Sequence, residues 1–267
     1  MSFSSTLIRT LILLVVVVSS CKSSTLLVEK ENKVLINWKK KTLLLDDSGT
    51  KDWTEQWFLD GKKARIENLL TGMYYAAGPE YKNDTSHAVL WTKDTFSGDI
   101  MIEFDYTRTD TSPCCVNIVY FHATGKGGPE YPEDITLWNK KREVPTMSTY
   151  FRNMNTYHIS FATAGDYIRL RRYDPSKGIR LKGTDIPPDT FGSGMFKLFQ
   201  SYHIQIVRYK DQVSFLVQNN DDPMDSLIRQ WDTSQALPLS EGRIGLRHMY
   251  SRAALNKNIK VWQLEEK

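Results

Sequence analysis

The stretch "YHIQIVRYKDQVSFLVQNN", residues 202–220, contains two short runs in which apolar and polar side chains alternate. Ile204 and Ile206 alternate with polar residues in the first run, and Val213, Phe215 and Val217 alternate in the second. Successive side chains of a β-strand point to opposite faces, so a period of two predicts strands with one buried face. The stretch therefore predicts two strands of a β-protein.

The same pattern recurs along most of the chain. Further strand runs are predicted at residues 101–106, 116–122, 157–161, 167–171, 243–246 and 258–262. Clusters of Gly, Pro, Asp and Asn separate these runs, and few stretches have helical period. The sequence contains no internal repeat and no interior linker, so one β-sandwich is favoured over two smaller domains.

The N-terminus has the pattern of an export signal, because Arg9 precedes the short apolar run 11–18. The run is too short to span a bilayer, and it leads into Val-Ser-Ser-Cys, which resembles a bacterial lipobox. An ordinary secretory signal with a chance cysteine is the alternative. The sequence thus predicts a signal peptide at 1–20, lipidation at Cys21, a tether at 21–42 and one domain at 43–267. Such a protein would be lipid-anchored in the bacterial cell envelope, at the outer membrane or the periplasmic face.

Composition excludes several classes of function. The formal net charge of +4 is too small to indicate a nucleic-acid partner. The sequence has no phosphate-binding loop and no metal-ligand spacing, so neither a cofactor nor a metal is expected. Cys114 and Cys115 are interpreted as unbonded strand residues that face opposite ways, and no disulfide scaffold is expected.

Three segments carry a resemblance to a known superfamily. They are residues 202–220, "EGRIGLRHMYSRAALNKNIKVWQL" at 241–264, and "AVLWTKDTFSGDIMIEFDYTR" at 88–108. They resemble the strands of concanavalin A-like lectins and glucanases, and the chain is most similar to exported bacterial domains that accompany polysaccharide-degrading enzymes. The resemblance implies an all-β, concanavalin A-like antiparallel β-sandwich, or jelly roll. This fold hosts lectins, glycosidases and lyases alike, so it does not select an activity.

Glu103 and Asp105 are two residues apart on a predicted strand, which places both carboxylates on one face. Paired acids can hydrolyse a glycosidic bond. Laminarinase-like members of the superfamily carry a third acid on this strand, but Thr107 and Arg108 occupy the corresponding positions here. A role in substrate binding and a polar or arginine-paired strand face are the other interpretations.

A second group of functional side chains lies in "NTYHISFATAGDYIRLRRYDP", residues 155–175. Period-two alternation puts Tyr167, Arg169, Arg171 and Tyr173 on one face of a strand, with His158 and Ser160 on one face of the strand before it. If the two strands form a hairpin, these residues become neighbours. Strand register is not fixed by the sequence, and a purely structural role for the polar residues is the alternative.

These residue types suit elimination from a uronic acid. Removal of the proton beside a carboxylate requires a base, for which His158 or Tyr167 is a candidate, with His122 as a possible second acid or base. Guanidinium groups stabilise the charge that develops on the carboxylate, a role assigned to Arg169 and Arg171. Trp138 and Arg247 are further candidates for substrate binding.

The leading prediction is therefore an elimination enzyme, a polysaccharide lyase or an oligosaccharide dehydratase, that acts on uronate-containing sugars. A non-catalytic carbohydrate-binding lipoprotein is the alternative, and a glycoside hydrolase that uses Glu103 and Asp105 comes third. The expected partners are an acidic oligosaccharide or polysaccharide and, through the lipid anchor, a membrane.

Overall fold

The computed structural model describes residues 37–267 except 113, 163–165, 179–180 and 182. The predicted signal peptide, Cys21 and the first part of the tether lie outside the described residues. Within the described residues, no helix has the length and apolar character needed to cross a membrane.

Most of the described chain is β-structure, and every strand pairing is antiparallel. The strands are β1 (Trp38–Asp47), β2 (Trp57–Asp60), β3 (Arg65–Leu69), β4 (Gly72–Ala76), β5 (Ala88–Thr92), β6 (Phe96–Ser97), β7 (Ile100–Arg108), β8 (Val116–Gly125), β9 (Met154–Ala162), β10 (Tyr167–Tyr173), β11 (Asp185–Phe191), β12 (Ser201–Tyr209), β13 (Gln212–Asn219), β14 (Ser226–Asp232), β15 (Glu241–His248) and β16 (Ala253–Glu266). All the predicted strand runs fall within these strands. β1 begins at Trp38, so it includes the last residues of the segment that the sequence assigned to the tether.

The strands form two sheets. Sheet A has the order β14-β13-β12-β7-β16-β4-β3, and β1 also pairs with β16. Sheet B has the order β11-β10-β9-β8-β15-β5-β2, and β6 also pairs with β15. This arrangement confirms the predicted antiparallel sandwich.

The core lies between the inner faces of the two sheets. On β7 of sheet A, Ile102, Phe104 and Tyr106 point into it, and on β10 of sheet B, Ile168 and Leu170 do so. On these two strands the alternation predicted from the sequence is correct: every second residue is in the core, and the residues between them lie on the outer face of their sheet.

The outer face of sheet B is also covered. Residues 126–153, here called the cap, contain a 3₁₀ helix at Ile135–Arg142 and the helix α1 at Met147–Asn153. Ile135, Trp138 and Tyr150 of the cap pack with outward-facing residues of sheet B in a second apolar cluster. Three shorter 3₁₀ helices lie at Trp53–Glu55, Asp84–Ser86 and Pro175–Lys177.

Cys114 and Cys115 form a disulfide bond with each other. The prediction that they are unbonded strand residues is wrong, because the pair lies in the connection before β8 rather than in a strand. Cys115 has a φ of 79°, so the alternation of strand side chains does not apply to it.

Candidate functional site

The structure brings the polar side chains of the β9–β10 hairpin together on the outer face of sheet B. His158 on β9 is directly opposite Tyr120 on β8 and Arg171 on β10. In the next row, Ser160 on β9 is opposite Arg169. The register that the sequence left open thus aligns the imidazole with the arginines.

His158 is enclosed beneath the cap and is linked to a tyrosine. Its Nδ1 is 2.7 Å from the hydroxyl oxygen of Tyr173, and the two rings meet edge to face. Burial, together with the charges of Arg171, Arg247 and Arg169, holds the pKa of His158 well below its usual value. The imidazole is therefore neutral near pH 7, and its Nε2 makes no hydrogen bond within the described residues.

Tyr167 and the two arginines form the partly exposed rim of this cluster. The guanidinium of Arg169 is 2.5 Å from the carboxylate of Asp189, and that of Arg171 is 3.0 Å from Asp185. Burial raises the pKa of Tyr167 despite the charges of Arg169 and Arg171. The phenol is therefore protonated at neutral pH, which favours the role of an acid over that of a base.

Arg247 lies deeper in the same cluster and is fully buried. It donates to the Pro145 carbonyl at 2.6 Å and to Nδ1 of His87 at 2.8 Å, and its guanidinium lies 4.7 Å from the ring centroid of Tyr150. Its Nε and Nη1 make no hydrogen bond among the described residues, and no carboxylate there forms an ion pair with it. Burial, followed by the Arg247 charge, lowers the pKa of His87 to about 3, so that histidine is neutral.

A buried carboxylate connects the cap to sheet B. Asp60, at the end of β2, accepts hydrogen bonds from Trp91 Nε1 at 2.7 Å, Arg142 Nε at 2.5 Å and the Tyr150 hydroxyl at 2.9 Å. Asn139 donates to its other oxygen at 2.6 Å. Asp60 and Arg142 have fully buried side chains, so this ion pair is shielded from solvent.

Trp138 is a cap residue with only 3% of its surface exposed. Its indole nitrogen donates to the Pro132 carbonyl at 3.0 Å, and the Arg142 guanidinium lies 4.2 Å from its ring centroid. The ring therefore belongs to the covering of sheet B and presents little surface to a ligand in this arrangement.

His122 is separated from the other candidates. Strand β8 contains a register shift between Phe121 and Thr124, and His122 has a φ of 49°. The irregularity turns the imidazole away from the row of Tyr120 and His158. Burial, with the charge of Arg208 on β12 of sheet A, lowers the pKa of His122 to about 3.

Glu103 and Asp105 also lie apart, on the outer face of sheet A. His203 Nδ1 is 2.9 Å from Asp105 Oδ1, and its Nε2 is 3.7 Å from Glu103 Oε2. Lys40 Nζ and Trp262 Nε1 donate to Glu103 at 2.8 Å and 2.7 Å.

This pairing determines the charge of the two acids. Burial alone would raise the pKa of Glu103, but His203, Lys40 and Trp262 outweigh it and lower the pKa to about 2. The pKa of Asp105 is also lowered, because His203 and Asn258 outweigh the effect of burial. Neither acid has the raised pKa that a general acid in glycoside hydrolysis requires.

The candidate site therefore unites His158, Tyr167, Arg169, Arg171 and Arg247, and the sequence missed several of its members. They are Tyr120, Tyr150, Asp60, Arg142 and His87. Period-two alternation did place Tyr173 on the face of Tyr167, Arg169 and Arg171, and the same rule would have placed Tyr120 on the outer face of β8. Asp60, Arg142 and Tyr150 join through the cap, for which the strand pattern gives no signal.

The two sheets and their order define a concanavalin A-like β-sandwich. Residues 46–261 match the model of a family described as a domain of unknown function, DUF1961. The chain belongs to this family. A search of curated proteins found no match.

Several solved structures are similar in fold. A protein of unknown function with a galectin-like fold from Bacillus subtilis is 19% identical, with a TM-score of 0.65 over 86% of this chain and 100% of that one. The exoplasmic/lumenal domain of VIP36, in a Ca²⁺/Man3GlcNAc-bound form, is 13% identical, with a TM-score of 0.54 over 85% and 92%. Lectin II from Ulex europaeus is 8% identical, with a TM-score of 0.52 over 84% and 99%. At these identities the similarity establishes the fold alone.

Proposed function

We propose that the chain is a carbohydrate-binding protein that takes an acidic sugar on the outer face of sheet B, with Arg247 as the residue that receives the carboxylate. A carbohydrate ligand is supported by the similar fold of a lectin and of a domain bound to Man3GlcNAc. The acidic character is supported by the charge on sheet B itself.

The observation that carries the proposal is the buried charge of Arg247, which forms no ion pair with a carboxylate of the described residues. A buried ion without an oppositely charged partner costs several kcal/mol, whereas a carboxylate can satisfy a guanidinium through two parallel hydrogen bonds. Arg247 is fully buried, and its Nε and Nη1 lack partners among the described residues. The ligand enters from the rim of Tyr167, Arg169 and Arg171 and displaces the part of the cap that closes over Arg247.

Calorimetric titration with uronate oligosaccharides, and with the same oligosaccharides after reduction of their carboxyl groups, tests this function. The protein should bind the acidic forms and not the reduced forms. Arg247→Met should weaken binding about 10- to 100-fold, because a hydrogen bond to a charged group contributes roughly 1.5–3 kcal/mol. Arg65→Gln, at an exposed arginine on β3 of sheet A, serves as the control and should bind normally. Equal affinity for the reduced forms, or unchanged affinity of Arg247→Met, contradicts the proposal.

An elimination enzyme is the second candidate, favoured by the neutral imidazole of His158 beside the protonated phenol of Tyr173. In this scheme His158 Nε2 takes the proton from the carbon that bears the carboxylate. The bond from the neighbouring carbon to its oxygen substituent breaks, a carbon–carbon double bond forms, and a phenol, that of Tyr167 or Tyr173, protonates the departing oxygen. The arginines stabilise the charge on the carboxylate.

Ultraviolet absorbance of unsaturated uronate and the product mass distinguish the two functions. Chain cleavage with unsaturation identifies a lyase, and loss of one water identifies a dehydratase. His158→Ala should then abolish turnover, whereas His203→Gln on sheet A should leave it unchanged. Binding without any change in the mass of the oligosaccharide would identify the chain as a non-catalytic binder. Lipid anchoring through Cys21 and the position in the cell envelope stay predictions.

A further inference from the structure

A cavity of about 580 Å³ lies at the open edge of the sandwich, apart from the cap. Two edge strands face each other there, β11 of sheet B and β14 of sheet A. The cavity is lined by the end of β10, by the start of β11 and by the residues that follow β14. Its volume is in the range of small-molecule sites.

Two buried charged side chains line this cavity without being fully satisfied. Asp174 is 6% exposed, and its Oδ1 accepts from the backbone and the hydroxyl of Ser176. Its Oδ2 makes no hydrogen bond among the described residues, and Nζ of the exposed Lys177 is 3.8 Å from it. A carboxylate oxygen that is buried against a cavity calls for a hydrogen-bond donor.

Arg172 supplies the complementary groups. It is 6% exposed, donates through Nε to the Leu237 carbonyl at 3.0 Å, and donates through Nη1 to the Tyr173 carbonyl. Asp174 is close enough to raise the pKa of Arg172, although burial outweighs it and lowers that pKa overall. The Arg172 guanidinium and the Asp174 carboxylate form no ion pair within 4.0 Å of each other. The cavity is therefore lined by a hydrogen-bond donor and a neighbouring acceptor.

The charged side chains that the structure describes around the cavity balance. Asp185 also lines it, but this carboxylate is already paired with Arg171 at 3.0 Å. Arg172 and Lys177 are then offset by Asp174 and Asp232, so the described lining residues carry no net charge. Among the described residues, no group of three metal-ligating side chains is present. Ile186, Pro187 and Ala236 add apolar surface beside these polar groups.

We infer that this edge cavity is a second carbohydrate site, one that takes a neutral sugar residue. A sugar hydroxyl donates to Asp174 Oδ2, a neighbouring hydroxyl accepts from Arg172, and the apolar face of the ring covers Pro187 and Ala236. The site does not depend on the proposed binding of an acidic sugar at Arg247. The two sites meet at Asp185, which pairs with Arg171 on one side and lines the cavity on the other.

Saturation-transfer NMR on the full chain with a panel of neutral monosaccharides (glucose, galactose, mannose, xylose and rhamnose) tests the inference. At least one should bind, with a dissociation constant on the order of 1 mM. Ala236→Trp fills the cavity and should abolish the signal. Ser234→Trp adds the same ring at an exposed neighbour that does not line the cavity, and it should bind normally.

Two further variants test the contacts of this site. Asp174→Asn keeps the oxygen that caps Ser176 but replaces the free acceptor, and should weaken neutral-sugar binding at least about tenfold. Arg65→Gln, at an exposed arginine on β3 of sheet A, should leave neutral-sugar binding unchanged. If no sugar of the panel binds, or if Ala236→Trp or Asp174→Asn binds like the wild type, the edge site is wrong. If acidic oligosaccharides bind and no neutral sugar does, this inference is wrong and the proposed function is unaffected.

Discussion

At the scale of single residues, His203 is a cation held between two carboxylates on the outer face of sheet A. Burial alone would lower the pKa of His203, but Asp105 and Glu103 outweigh it and raise the pKa to about 9. A group whose pKa is higher in the folded state stabilises the fold while it is protonated. This stabilisation is complete below about pH 6.5 and is lost as the pH rises through about 9.

We therefore expect the free energy of unfolding to fall between pH 6 and pH 10 by up to about 3 kcal/mol, since one pKa unit corresponds to roughly 1.4 kcal/mol. Urea unfolding at a series of pH values measures this change. His203→Gln keeps a polar side chain without the titration and should remove most of the slope. A variant that retains the full slope would assign the pH dependence to another group.

The alternation of strand residues predicted part of the candidate site and not the rest. Alternation alone placed Tyr167, Arg169 and Arg171 on one face, because β10 is regular over these positions. The same rule fails for His122, since the register shift in β8 cannot be seen in a pattern of apolar and polar residues. It also could not give the environment of Arg247, which depends on contacts with the distant residues His87 and Pro145.

At the scale of elements, the cap is joined to sheet B through one fully buried ion pair. Asp60 holds Arg142 and Tyr150 of the cap and Trp91 of β5 at the same time. Removing one partner of a buried pair leaves the other charge without compensation, which costs about 3–5 kcal/mol. Asp60→Asn should therefore lower the free energy of unfolding by that amount and accelerate amide exchange in α1.

The residue before Arg142 in the cap provides a control for this prediction. Lys141 pairs with Glu130 at 3.0 Å, and both side chains are substantially exposed. Such surface pairs contribute about 0–1 kcal/mol, so Lys141→Ala should have little effect on urea unfolding or amide exchange. Equal destabilisation by the two variants would show that the burial of the Asp60–Arg142 pair is not what holds the cap.

The cap is also the element that the sequence did not predict. Its 3₁₀ helix and α1 are short, and neither carries a run long enough to show helical period. The strand runs that were predicted belong to strands that present one face to the core, and their alternation reflects that burial. The central strand β5 is buried on both faces and has no such alternation. Edge strands such as β11, which contains Pro187 and Pro188, lack this signal, since an edge strand buries less of its surface.

At the scale of the whole molecule, β1 joins the N-terminal end of the described chain to the sandwich. It pairs with β16 along its length, and Leu45 enters the core. Asp47 accepts a hydrogen bond from the indole of Trp57 at 2.7 Å. The folded unit therefore begins at β1, before the start of the family match at residue 46.

Deletion series from the N-terminus test this boundary. Removal of residues 1–36, which the sequence assigns to the signal and the tether, should leave the urea unfolding midpoint unchanged. Removal of residues 1–47 exposes the β16 edge, leaves Trp57 without its acceptor and removes Leu45, whose burial alone contributes about 1.5–3 kcal/mol. That protein should be destabilised by several kcal/mol or fail to fold, and Leu45→Ala in the full chain should reproduce about 2–5 kcal/mol of the loss. If the two deletions unfold at the same urea concentration, β1 is not part of the cooperative unit, and the domain begins at β2.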